Sequence, residues 1–201
     1  AGIIFAFFDG LAARMLKVSG ELGKQLDSLA DMVTFGVVPG FLLLHATNYM
    51  WADEHWLEGD LKTVLIGLCC LMIPLFSALR LAKFNIDERQ ASGFIGLPTP
   101  ANTLFIGSLV WLNFNGQAPE ILENRLVLAG IGVVSSLMLV APIPLLALKF
   151  KTFGFKENAI RYIFIAICIT LLALFQVVAV PFIIVIYIGI SMFQNSKEVE
   201  L

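Results

Sequence analysis

Three aspartates stand close together near the start of a chain that is otherwise strongly apolar. Asp27 and Asp31 are four residues apart, so on a helix both carboxylates point the same way. Asp9 follows an earlier apolar run, residues 3–8. Two neighbouring helices that bring Asp9 opposite the other two carboxylates would form an oxygen-rich pocket, which hard divalent cations such as Mg²⁺ prefer. The spacing therefore predicts a metal site.

A simpler explanation fits any one of these aspartates alone, because a carboxylate near a helix end is usually solvated or caps the helix. It fits the set of three less well. An ionised Asp near the hydrocarbon core of a membrane costs roughly 2.5–3.5 kcal/mol on insertion scales, and three such charges also repel one another. A bound cation offsets both costs.

The composition is that of an integral membrane protein. Of the 201 residues, 59% are hydrophobic and only 14% are charged, and the mean hydropathy is +0.89. This length accommodates about seven spans of about 20 residues with short connections. We predict an all-α fold, a polytopic transmembrane helix bundle, in one domain over residues 1–201. The net charge of −2 and the lack of a basic run argue against a nucleic-acid partner.

The predicted spans follow the apolar runs. They cover about residues 2–17, 24–50, 61–82, 98–114, 125–148, 159–176 and 181–193. Gly36, Pro39 and Gly40 are expected to kink the second span, which follows a loop over residues 18–23. The apolar run over residues 159–193 is too long for one ordinary span, so we predict a tight hairpin near residues 176–181.

The basic residues test this layout through the positive-inside rule. With the hairpin included, 11 of the 13 Lys and Arg residues fall on one side: Arg14, Lys17, Lys24, Arg80, Lys83, Arg89, Lys149, Lys151, Lys156, Arg161 and Lys197. We therefore predict a multi-pass membrane protein. The acidic site and residues 80–85 face the cytoplasm together and can converge.

The acidic stretch resembles the signature of the CDP-alcohol phosphotransferase family, D-x2-D-G-x2-A-R-x8-G-x3-D-x3-D. The positions in register are Asp9, Gly10, Ala13, Arg14, Gly23, Asp27 and Asp31. Family members transfer a substituted phosphate from a CDP-linked lipid or alcohol to a hydroxyl and release CMP. The resemblance implies that Asp9, Asp27 and Asp31 bind Mg²⁺ or Mn²⁺ and that Asp31 is also the general base. It further implies a CDP pocket lined by Gly10, Ala13, Arg14 and Gly23.

Two later segments, SALRLAKFN at residues 77–85 and FIGLPTPA at residues 94–101, resemble the phosphatidylserine synthase branch of that family. This resemblance implies CDP-diacylglycerol and L-serine as substrates, phosphatidylserine and CMP as products, the cytoplasmic membrane of a prokaryote as location, a membrane-lipid environment and a homodimer. A serine carboxylate needs a cation or hydrogen-bond donors, and Arg80, Lys83 and Asn85 are the predicted ligands. Each of them also has a simpler explanation as part of a charged helix end that obeys topology.

One position departs from the signature, because Ala6 stands where the family has its first Asp. An Asp there would lie one helical turn before Asp9 and help to hold the metal. We therefore expect strongly reduced activity, unless the metal centre functions with fewer ligands. Family members of this kind usually begin with one more helix that carries a Pro-Asn-x-x-Thr-like segment. This chain is expected to lack it, and part of the nucleotide pocket with it.

Other functions remain open at this point. Within the family the acceptor could instead be glycerol phosphate, inositol phosphate or an amino alcohol. Outside it, intramembrane carboxylates often mark ion paths, so an ion-coupled transporter or proton relay is the main alternative. The clustering of the acids at one face, rather than across the bilayer, argues against transport. A relative that has lost catalysis and serves only in interactions is a third alternative, which Ala6 favours.

Overall fold

The computed structural model describes residues 20–47, 61–86, 94–145 and 154–198, and nearly all of them are helical, as predicted. The elements are α1 (Glu21–Met32), a π-helical turn (Val33–Val37), α2 (Val38–Ala46), α3 (Leu61–Ile86), β1 (Phe94–Ile95), α4 (Thr99–Phe114), a 3₁₀ turn (Glu120–Glu123), α5 (Arg125–Val140), β2 (Pro144–Leu145), α6 (Phe155–Phe175), a second 3₁₀ turn (Gln176–Val178) and α7 (Ala179–Glu198). The paired strands β1 and β2, two residues each, are a small departure from the predicted all-α fold.

Three helical stretches in the described part of the chain are long and apolar enough to cross a membrane. They are Leu22–Ala46, Leu61–Ile86 and Asn158–Met192, and Arg125–Val140 is a shorter apolar helix. These stretches support the prediction of an integral membrane protein. The first predicted span, residues 2–17, lies outside the described residues, so the number of seven spans stays a prediction.

The predicted hairpin in the last apolar stretch is confirmed. Gln176 has a φ of 49° and a ψ of −126°, which ends α6. The rings of Phe164 and Tyr187 lie with their centroids 5.9 Å apart, whereas one straight helix would separate these residues by about 34 Å at 1.5 Å per residue. Helices α6 and α7 therefore fold back on each other.

Two glycines of the second predicted span, Gly36 and Gly40, allow close helix packing. A Cβ atom at Gly36 would lie 2.8 Å from Cβ of Ser77, and one at Gly40 would lie 2.7 Å from Cδ of Pro74. Gly36 is part of the π-helical turn, so the irregularity of this helix has the form of a wide turn. Helix α3 thus packs directly against the backbone of this turn and of α2.

The apolar core lies where α3 meets α5 and α2. Helix α3 makes its most extensive contacts with α5, and Leu43, Cys70 and Leu128 are fully buried between these helices. A Cβ atom at Gly132 would lie 3.3 Å from the carbonyl oxygen of Cys69 and 2.9 Å from Cδ2 of Leu43, so α5 packs against the backbone of α3 and meets this side chain of α2. Packing on several sides fixes the axis of α3, which carries part of the candidate site.

The fifth predicted span is shorter than expected. Helix α5 ends at Val140 rather than near residue 148, because Pro142 and Pro144 lack the N–H groups that a helix needs. The chain instead turns, and β2 pairs antiparallel with β1. The N–H of Gly96 donates to the carbonyl of Ile143 at 2.8 Å. This ladder joins the chain before α4 to the chain after α5.

Candidate functional site

Two of the three predicted metal ligands lie in the described part of the chain, and α1 carries both. Asp27 is exposed and Asp31 is half-buried, on successive turns of that helix. Asp9, Gly10, Ala13 and Arg14 lie outside the described residues, and so does Ala6. Among the residues that are described, no group of three or more His, Cys, Asp or Glu side chains could hold a metal ion. The three-aspartate centre therefore stays a prediction.

The donors that are described fit a hard divalent cation. Asp27 and Asp31 are four residues apart on one helix, so their carboxylates lie on one face. Mg²⁺ typically takes one or two protein carboxylates and completes its shell with waters and substrate phosphates. Two carboxylates on an accessible helix face match that requirement.

Gly23 lies inside α1, not in the predicted loop, because the helix already begins at Glu21. It is exposed, and a Cβ atom there would meet no described atom within 4 Å. Close packing among the described residues therefore gives no reason for glycine at this position. Its bare backbone is open to a ligand, as the predicted role in the CDP pocket requires.

Hydrogen bonds join α1 to the end of α3. Nζ of Lys24 donates to the carbonyl of Asn85 at 3.0 Å. Nδ2 of Asn85 in turn donates to Oγ of Ser28 at 2.8 Å, and that hydroxyl donates to the carbonyl of Lys24 at 3.1 Å. The acidic helix and residues 80–85 therefore meet, and the amide of Asn85 already serves to hold them together.

The three predicted carboxylate ligands differ in their surroundings. Lys83 is exposed and Asn85 is half-buried, and both lie inside α3, which extends to Ile86 and so beyond the predicted end at residue 82. Arg80 is only 6% exposed. Its Nε and Nη2 have no hydrogen-bond partner among the described residues. Asp31 and Tyr187 lie near its guanidinium, and the negative charge of Asp31 interacts favourably with it.

Sequence reasoning missed three other polar side chains. Ser77 and Asn102 are both fully buried, and Oγ of Ser77 and both amide atoms of Asn102 lack a partner within the described ranges. Tyr187 on α7 is buried and lies near the guanidinium of Arg80. Polar residues within apolar spans were the available signal for all three.

Helix α4 approaches the same region from another side. The hydroxyl of Thr103 donates to the carbonyl of Phe35 in the π-helical turn at 3.0 Å. Asn102 precedes Thr103, and Ser77 contacts the same turn at Gly36. Two of the buried polar side chains thus belong to helices that pack on the turn directly after Asp31.

An apolar cleft opens on the other side of α4. It has a volume of about 470 Å³ and lies between α4, α5 and α7, with Leu97, Phe105, Ile131, Met138 and Ile184 among its lining residues. Its walls are almost entirely apolar, so it suits a hydrocarbon chain rather than a polar ligand.

The chain is thus helical and apolar, with an acidic helix packed near a buried arginine, and comparison with known proteins gives its class. Residues 1–142 match the family described as CDP-alcohol phosphatidyltransferase. The chain therefore belongs to the CDP-alcohol phosphatidyltransferase family, a family of transferases. This membership confirms the resemblance found at the signature.

Several relatives of the chain within this family carry the same enzyme name. The chain is 40% identical over 100 residues to the CDP-diacylglycerol–serine O-phosphatidyltransferase of Bacillus subtilis, covering 49% of this chain and 50% of that protein. It is 38% identical over 104 residues to the protein of the same name from Methanocaldococcus jannaschii, covering 52% and 44%. The protein of that name from Helicobacter pylori is 28% identical over 145 residues, covering 68% and 56%. The chain spans about half the length of these relatives.

Proposed function

We propose that this protein transfers the phosphatidyl group of CDP-diacylglycerol to L-serine, giving phosphatidylserine and CMP. The names of its relatives support this activity. The observation that carries the proposal is the contact between the acidic helix, which carries part of the family signature, and residues 77–85, which resemble this branch. Helix α1 brings Asp31 into the electrostatic field of Arg80 on α3, and Asn85 and Ser28 join the two helices. The proposed proton acceptor, Asp31, and the proposed cation for the acceptor substrate, Arg80, therefore interact electrostatically.

The reaction is a substitution at phosphorus. The serine hydroxyl attacks the phosphorus next to the diacylglycerol, a new O–P bond forms, and the bond from that phosphorus to CMP breaks. In our proposal Asp31 accepts the hydroxyl proton, which makes the oxygen a better nucleophile. Gly10, Ala13, Arg14 and Gly23 line the CDP pocket and orient the nucleotide.

Divalent metal ions belong to this proposal. Asp9, Asp27 and Asp31 would hold Mg²⁺ or Mn²⁺. Such an ion would neutralise pyrophosphate charge and stabilise the leaving CMP. The described residues give no preference between the two metals.

The surroundings of the site fit a lipid substrate. Seven membrane spans, with the site at the cytoplasmic face, would let CDP-diacylglycerol reach the carboxylates from within the membrane. The cleft between α4, α5 and α7 could receive an acyl chain, because its lining is apolar. A homodimer is part of the proposal on the resemblance alone.

Release of CMP by the full chain in detergent or lipid nanodiscs tests this function. L-Serine, glycerol phosphate, inositol phosphate and ethanolamine are supplied in turn with CDP-diacylglycerol, with and without Mg²⁺ or Mn²⁺ and a chelator. We expect release that depends on L-serine and on the metal. Release supported better by another acceptor, or release unaffected by metal removal, would contradict the proposal.

A further inference from the structure

Arg80 presents an unused pair of hydrogen-bond donors inside the protein. The side chain is 6% exposed, so its charge is nearly removed from solvent. Nε and Nη2, which lack partners among the described residues, lie on one edge of the planar guanidinium. That edge offers two parallel N–H donors that match the two oxygens of a carboxylate. A buried cation with such an edge open is costly unless an anion binds to it.

The position of Arg80 separates it from the other polar groups of its helix. It precedes Asn85 by five residues, which places it about 7 Å further from the end of α3 at 1.5 Å per residue. Asn85 bonds to Ser28 at that end, and Lys83 is exposed. Arg80 is therefore the one of the three predicted ligands that combines burial with open donors among the described residues.

The neighbours of Arg80 indicate the kind of anion. Asp31, the proposed proton acceptor, acts electrostatically on the guanidinium. Ser77 lies one turn earlier on the same face of α3. Its buried hydroxyl also has no partner in the described ranges. An acceptor held at Arg80 by a carboxylate therefore sits beside the group that takes its hydroxyl proton. A pyrophosphate, in contrast, would be neutralised by the divalent ions that the carboxylates of α1 are proposed to hold.

We infer that Arg80 determines acceptor specificity by binding the acceptor's α-carboxylate through Nε and Nη2. This inference rests on the proposed function, and it assigns the recognition of serine to one residue. An amino alcohol such as ethanolamine lacks the carboxylate and leaves the buried guanidinium unpaired. Sites built to hydrogen-bond a substrate group reject analogues without it by roughly 10⁴-fold or more. Arg80 therefore excludes acceptors that carry a hydroxyl and an amine but no carboxylate.

Substitution of Arg80 tests this assignment on the full chain, with Ala6→Asp as the reference background. The KM of L-serine, the KM of CDP-diacylglycerol and kcat are measured from CMP release. For Arg80→Gln we expect the KM of L-serine to rise roughly 100-fold or more, because a buried charged hydrogen-bond partner is lost. The KM of CDP-diacylglycerol stays within about twofold. Arg80→Lys keeps the positive charge but loses the two parallel N–H donors of the guanidinium. We therefore expect a smaller rise in the KM of L-serine.

Arg125→Gln is the matched control. It makes the same chemical change at an exposed arginine at the start of α5 and leaves both KM values unchanged. Far-ultraviolet circular dichroism and gel filtration show whether each variant is folded. If Arg80→Gln does not fold, the KM of L-serine measured for Arg80→Lys tests the inference, since that variant retains the buried cation.

Three results would overturn the inference. One is a rise in the KM of CDP-diacylglycerol with an unchanged KM of L-serine, which would place the lipid phosphate on Arg80. Another is a fall in kcat alone, equal for every acceptor, which would indicate a structural role. The third is equal binding of L-serine to the reference protein and to Arg80→Lys in titration calorimetry. If the reference binds L-serine but releases no CMP with it, the proposed function fails, while calorimetry still tests Arg80.

Discussion

Replacement of Gly40 by alanine should loosen the packing that positions the site. The added Cβ would lie 2.7 Å from Cδ of Pro74, 3.3 Å from its Cγ and 3.4 Å from the carbonyl oxygen of Cys70. Carbon atoms normally approach to about 3.5–4.0 Å, so the nearest contact is short by about 1 Å. Neither neighbour can move by a simple side-chain rotation, because one is a proline ring and the other is backbone.

The size of the effect follows from two opposing contributions. Alanine stabilises a helix interior by about 1 kcal/mol relative to glycine, whereas overpacking of a well-packed core costs about 1–3 kcal/mol and occasionally more. Gly107→Ala is the matched control, because a Cβ there meets no described atom within 4 Å. We expect the free energy of unfolding of Gly40→Ala to lie about 1–3 kcal/mol below that of Gly107→Ala.

Reversible unfolding in detergent, followed by circular dichroism against denaturant concentration, gives both free energies. Helix α3 carries Arg80, so Gly40→Ala should also raise the KM of L-serine in the CMP-release assay, whereas Gly107→Ala should not. Equal unfolding free energies for the two variants would refute the packing argument. They would mean that α2 and α3 separate without cost.

Three further predictions concern individual side chains. Ala6→Asp should raise CMP release strongly, because it restores the missing carboxylate of the signature; equal release with Ala6 and with Asp would show that the centre does not need it. Asp31→Asn should lower kcat roughly 10²-fold or more, as loss of a general base does, with circular dichroism unchanged; near-normal kcat would move the base elsewhere. Asn102→Leu should raise the free energy of unfolding by about 1–3 kcal/mol, because it removes a buried amide without partners among the described residues; a fall measured by denaturant titration would mean that the amide has a partner.

The helices could be predicted well from the sequence where apolar runs and prolines act locally. Pro98 and Pro100 predict the start of α4, which begins at Thr99. The end of α5 was misplaced although Pro142 and Pro144 mark it locally, because the apolar run continues past them to residue 148 and hydropathy does not report the pairing of β2 with the distant β1. The run past Met138 stays apolar, so composition alone favoured a longer helix.

In the candidate site, too, local features could be predicted from the sequence and features set by tertiary packing could not. The spacing of Asp27 and Asp31 is local, so their common helix could be predicted. The open edge of Arg80 depends on tertiary packing, because its burial is set by where α3 meets other helices. The sequence therefore grouped Arg80 with Lys83 and Asn85, although the three have different surroundings.

The π-helical turn between α1 and α2 holds one residue more than an α-helical turn does within a single turn. In a regular α-helix, the loss of one residue rotates the preceding segment by about 100° around the axis. Deleting one residue within Val33–Val37 would instead convert the wide turn into an ordinary α-helical turn and leave α1 near its present orientation relative to α2. This stretch can therefore lose a residue while α1 keeps its contact with α3.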